Sequence, residues 1–79
     1  MDVRQLRYFV EIVEARSFTR AADRVRIAQP ALGLQIRKLE EELGVEILHR
    51  HSRGVEVTEA GKVLLRHANA ILKQVEQAG

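Results

Sequence analysis

The chain has no cysteine and no tryptophan, one proline and one tyrosine among 79 residues. Without cysteine, disulfide scaffolds, thiolate zinc sites and cysteine nucleophiles are excluded. No apolar run approaches the roughly 18 residues of a membrane-spanning helix. The opening segment, MDVRQLRYF, lacks the apolar stretch of a secretion signal, so a cytoplasmic protein is expected. An excess of one charge is also missing, since Lys and Arg number 13 against 11 Asp and Glu. What is present is 46% hydrophobic and 30% charged residues, the balance of a folded globular chain. The length suits one domain with a marginal core, which makes help from a partner subunit reasonable.

Charge is unevenly placed. In the middle third, Glu40, Glu41, Glu42 and Glu46 cluster, while Arg37, Lys38, Arg50 and Arg53 lie to either side. A basic face opposite an acidic corner suits an oriented polyanion, although a solvated charged surface gives the same pattern.

Hydrophobic spacing predicts four helices. The first spans about 3 to 15, with Asp2 as cap and Gln5 completing a capping box. Its apolar stripe is Leu6, Phe9, Val10 and Val13, flanked by Val3 and Ile12. The second follows Ser17 and ends near Val25, burying Phe18, Ala21, Ala22 and Val25. The third begins at 29 or 30 and stops at Gly44, with Leu32, Ile36, Leu39 and Leu43 as its core stripe. Pro30 is tolerated in its first turn. Ala28 is a weak cap, so a polar residue from outside the helix is expected to help there. Val45, Ile47, Val55 and Val57 predict two short strands around His51-Ser52-Arg53-Gly54. The fourth helix starts after Thr58 and runs towards the end of the chain. Leu64, Ala68, Ile71, Val75 and Ala78 are spaced 4, 3, 4, 3, a coiled-coil rhythm that points to dimerisation. A single broad core stripe is the plainer reading of the same residues.

This order describes a mainly α, winged helix-turn-helix domain at 1–57, followed by a linker and dimerisation helix at 58–79. In that fold the third helix enters the DNA major groove, its N-terminal residues foremost. At roughly 100° per residue, Pro30, Ala31, Leu34, Arg37 and Lys38 share the face opposite the core stripe. Gln29 sits at the first turn and can make paired hydrogen bonds to adenine. Leu34 is suited to a thymine C5-methyl, the apolar feature of that groove, although exposed leucines are common. Arg50 and Arg53 flank the hairpin, where arginine can meet the backbone or a narrow minor groove. Thr19 and Arg20 lie in the first turn of the second helix, where free N–H groups suit a phosphate.

Other chemistry finds little support. His49 and His51 could share a strand face, but no carboxylate or cysteine completes a metal site, and no cofactor is expected. Ser17, Ser52, the histidines and the acids form no catalytic grouping, so an enzyme is not expected. The competing class is a protein-interaction module that uses the fourth helix.

The segments SFTRAA, AQPAL, QIRKLEEELG and TEAG, in this order and spacing, resemble the N-terminal DNA-binding domain and linker helix of LysR-type transcriptional regulators. The similarity covers nearly the whole chain. It implies binding to double-stranded promoter DNA at an interrupted, A/T-containing dyad, and a homodimer formed through the linker helix. It also implies a tetramer in the full-length protein, and a small-molecule effector held only by a C-terminal domain not seen in this sequence, which then reads as a fragment. By position, Gln29, Pro30, Gly33 and Leu34 match the family's groove-facing residues, and Arg50 and Arg53 its wing. The chain departs from the family pattern at several places. Ala28 and Gly33 stand where serine is frequent, Arg16 where glycine is, and Leu48 where phenylalanine is. Gly33 removes a hydroxyl from the groove face and allows the backbone closer to DNA.

If Leu34 reads thymine methyls, replacing the thymines of a bound site by deoxyuridine weakens binding; titration of matched duplexes should show the loss, and equal affinity would exclude the contact.

Overall fold

Asp2 starts the first helix as its pattern requires. In the computed structural model, which describes residues 1–79, the Asp2 carboxylate accepts from the Gln5 N–H at 2.8 Å, and Gln5 Oε1 accepts from the Asp2 N–H at 3.2 Å. The elements are α1 (Val3–Ala15), α2 (Phe18–Val25), α3 (Gln29–Leu43), β1 (Leu48–His51), β2 (Gly54–Val57) and α4 (Glu59–Ala78). β1 and β2 form one antiparallel hairpin, with Leu48 opposite Val57 and His51 opposite Gly54. The mainly helical winged architecture expected from the sequence is therefore present.

α1 is the hub, touching α2, α3, α4 and β2. That position explains a shift in its buried face. Leu6, Phe9, Ile12 and Ala15 are buried, with Ile12 at the centre rather than on the flank; Val10 and Val13 are only half-buried. A helix packed on three sides buries a wider arc than its strongest apolar stripe. Gln5 is buried too, and its Nε2 donates to Gln35 Oε1 at 3.2 Å, joining α1 to α3. Ala21 and Ala22 of α2 are buried, and their small side chains let α2 sit close to its neighbours.

The first strand begins later than the alternation suggested. Val45 is 46% exposed and Ile47, though fully buried, lies before β1. The Ile47 and Leu48 N–H groups turn to the Glu40 carboxylate, at 2.8 and 3.4 Å, instead of to a neighbouring strand. The turn shrinks accordingly to Ser52-Arg53, since His51 and Gly54 are paired strand residues.

Thr58 fixes the entry to α4. Its hydroxyl accepts from the Gly61 N–H at 3.0 Å and donates to the Glu46 carbonyl at 2.7 Å, while its N–H donates to the Ile47 carbonyl at 3.1 Å. α4 then lies on α1. Ala68 is fully buried in this packing, and Leu64 and Leu65 pack against the same core. The 4-3-4-3 spacing is thus split: Ala68 serves the chain's own core, whereas Ile71, Val75 and Ala78 are exposed and Leu64 is half-buried. No helix is long and apolar enough to cross a membrane.

Gly61 makes the approach of α4 to the hairpin possible. A Cβ there would stand 2.1 Å from the Ile47 carbonyl oxygen and 2.6 Å from Val57 Cγ2. Gly61→Ala should therefore destabilise the fold by about 1–3 kcal/mol or more, the cost of overpacking against backbone. Urea denaturation measures it, and a loss below a few tenths of a kcal/mol would show that α4 can shift without cost.

Candidate nucleic-acid interface

α3 begins without the local support that the other helices have. Ala28 supplies no side-chain cap and no polar group from elsewhere replaces it, contrary to expectation. Asp2, Ser17 and Thr58 each cap their helices. Pro30 brings no N–H, so the Gln29 and Ala31 N–H groups are the open donors of this end.

The structure places Gln29, Pro30, Ala31, Leu34, Arg37 and Lys38 on the exposed side of α3, with Leu34 43% exposed. Leu32, Ile36 and Leu39 occupy the opposite, buried side; Leu43, the last residue of that stripe, is 37% exposed because the helix outruns the core there. Gly33 is half-buried, and a Cβ built on it meets nothing within 4 Å. No packing constraint requires glycine at this position.

Arg50 lies away from the hairpin tip. In β1 it lies on the same face of the strand as Leu48, following strand alternation, and is itself exposed. Its guanidinium stacks over the Phe18 ring, 3.7 Å from the centroid. Arg50 thereby joins Gln29, Pro30, Gly33 and Arg37 around one shallow concavity of about 400 Å3. Residue pattern alone shows nothing of this arrangement, because Phe18 reads as core. Arg53 does occupy the tip, where its N–H donates to His51 Nδ1 at 3.1 Å. His51 Nε2 lies 3.3 Å from Glu56 Oε1, and no three metal-ligating side chains gather there or elsewhere.

Thr19 and Arg20 are exposed at the start of α2. The Arg20 N–H is already taken by the Ser17 hydroxyl at 3.1 Å, leaving those of Phe18 and Thr19 open. Thr19 Oγ1 donates to Gln29 Oε1 at 3.0 Å, so Gln29 is held against α2 rather than projecting freely. Arg20, Arg37, Lys38, Arg50 and Arg53 take part in no ion pair, whereas Glu42 pairs with the Met1 amino group and Glu11 with Arg24. Unpaired cations thus border the start of α3 and the wing, as Arg4, Arg7, Arg16, Arg26, Arg66 and Lys73 do elsewhere on the chain, and the acids at the other end of α3 are partly engaged.

The sequence model described as "Bacterial regulatory helix-turn-helix protein, lysR family" matches residues 3–62. The chain belongs to this family. It is 54% identical over 78 residues to the nitrogen assimilation regulatory protein nac of Escherichia coli (strain K12), covering 99% of this chain and 26% of that one. Among solved structures, the BenM_DBD/catB site 1 DNA complex matches with a TM-score of 0.95 and 50% identity, covering 99% of this chain and 88% of that chain. The CbnR_DBD–DNA complex matches with a TM-score of 0.94 and 40% identity, over 100% and 91% of the two chains. The chain spans about a quarter of the length of the curated relatives it matches.

Gly33→Ala should raise stability by about 0.5–1 kcal/mol, because alanine costs less backbone entropy in a helix and its methyl enters open space. Thermal unfolding shows the gain as a shift of several degrees. A lower Tm would mean that the half-buried site is tighter than its open surroundings imply.

Proposed function

We propose that this chain is the DNA-binding part of a bacterial LysR-type transcription regulator. The observation that carries the reading is the shallow concavity at the uncapped start of α3, which Gln29, Pro30, Gly33, Arg37 and Arg50 line together, both arginines being free of ion pairs. Residues 29–43 lie in a major groove, with Gln29, Pro30, Ala31, Gly33 and Leu34 nearest the bases. Arg37 and Lys38 reach phosphates or guanine. Arg50 and Phe18 form a braced cation at the groove's edge, and Arg53 at the tip meets backbone or minor groove. Thr19 and Arg20 face the backbone. Family membership and the likeness to two DNA complexes support this reading.

The division at 57/58 separates the reading unit from the helix that joins two copies. Leu64, Ile71, Val75 and Ala78 form the remaining apolar strip of α4 and pair two subunits, while Ala68 supports the strip from inside. Two recognition helices then enter successive major grooves at an interrupted, A/T-containing dyad. In a whole regulator, a further domain would hold a small-molecule effector and allow tetramers, and the protein would act in the cytoplasm. No enzymatic step is assigned to the chain.

A short duplex with an A/T-rich interrupted dyad, compared with a scrambled duplex at two salt concentrations, tests the proposal. Expected are preference for the dyad, two chains per duplex, and affinity that falls steeply with salt through counterion release. Arg53→Ala should weaken both duplexes alike and lower the salt slope by about one. Equal binding with a flat salt response would refute DNA reading and leave α4 as a protein-interaction surface.

A further inference from the structure

We infer that Thr19 sets the base preference of the recognition helix by fixing the amide of Gln29; this rests on the DNA-reading function proposed above. The bond from Thr19 Oγ1 to Gln29 Oε1, 3.0 Å long, spans the turn between α2 and α3 and joins two exposed side chains. Threonine within a helix commonly donates to the carbonyl three or four residues back. Thr19 is the second residue of α2, so no carbonyl of its own helix lies behind it, and its proton is available to Gln29. The Arg50 guanidinium, stacked on neighbouring Phe18, lines the concavity that Gln29 also lines.

With its oxygen turned towards α2 and one of its lone pairs taken by Thr19, Gln29 leads into the groove with Nε2 and its two N–H donors. Such a group recognises a base edge bearing a keto oxygen. Guanine O6 and N7 both accept, as does thymine O4. The paired contact of glutamine with adenine needs the oxygen as well, to accept from the adenine N6 amino group. Tethered Gln29 therefore favours a keto edge, and a free Gln29 favours adenine. Thr19 is a positioning residue in this scheme, acting through Gln29.

Selection from a pool of randomised duplexes tests the inference with the 79-residue chain and three variants. Gln29→Ala marks the base pair that Gln29 reads by flattening preference there. At that base pair the unaltered chain should select a keto-bearing base. Thr19→Val, which keeps the shape and removes the hydroxyl, should move the preference towards adenine by at least about fivefold, the lower end of what one base contact discriminates. Thr19→Ser, which restores the hydroxyl, should return it. Thr19 is exposed, so thermal unfolding of all three variants should match the parent and confirm folding. A Thr19→Val chain that selects the same base as the parent overturns the inference, whatever its overall affinity; a loss over all duplexes without a change of selected base is the backbone contact of Thr19 alone. A parent chain that selects no sequence overturns the DNA-reading function itself, a separate and recognisable failure.

Discussion

The Glu40 carboxylate accepts the Ile47 N–H at 2.8 Å and the Leu48 N–H at 3.4 Å, and the position of the wing follows from those two bonds. Glu40 lies in the last turns of the recognition helix; Ile47 and Leu48 lead into the first strand. The Glu40 carbonyl also accepts from Gly44 and Val45, so one residue ends the helix and starts the wing. Charge-assisted bonds of this kind are roughly twice as strong as neutral ones. Ile47, fully buried, then carries the constraint onwards, because its carbonyl accepts from Thr58 and faces Gly61 of α4. Helix, wing and linker are thus coupled through four residues.

Rigidity matters for what the face has to do. A reader of DNA must hold base-contacting and backbone-contacting groups in fixed relation, since backbone contacts set the register in which bases are read. Here Arg50 braces the wing against α2 through Phe18, and Gln5 with Gln35 braces α1 against α3. Every buried side-chain polar atom has a hydrogen-bond partner, so these braces carry no unsatisfied cost.

Helix boundaries were legible in the sequence because their causes are local. Asp2, Ser17 and Thr58 cap within three residues, and Gly44 adopts the left-handed conformation that ends α3. Arg16, standing where the family favours glycine, takes the same conformation at φ 55°, and Arg26 does so at 60°, so glycine is not obligatory there. What escaped the sequence depends on groups far apart in the chain. The start of β1 was displaced by a carboxylate seven residues back. Ala68 fitted a dimer seam by spacing, but α1 covers it. Arg50 fitted a wing tip by composition, but strand alternation turned it onto Phe18. The Thr19–Gln29 bond joins residues that periodicity treats as unrelated.

The two ends of α3 are built to opposite rules, and the contrast bears on function. Its C-terminal half has Ile36 and Leu39 buried, Glu40 bonded to the wing, Glu42 paired with the chain's amino group, and Gly44 closing the last turn. Its N-terminal half has no cap, a proline, an interior glycine that no contact requires and an exposed leucine. The missing cap and the interior glycine lower the intrinsic stability of the first turns, while the proline removes one N–H from them and the leucine leaves apolar surface open. Local rules broken together at one place commonly mark a site shaped by binding. Under the function proposed above, a bound duplex would supply what the free chain lacks at this end, a phosphate for the open N–H groups and an apolar partner for Leu34. Stability anchored at one end of the helix lets the other remain incomplete until DNA completes it.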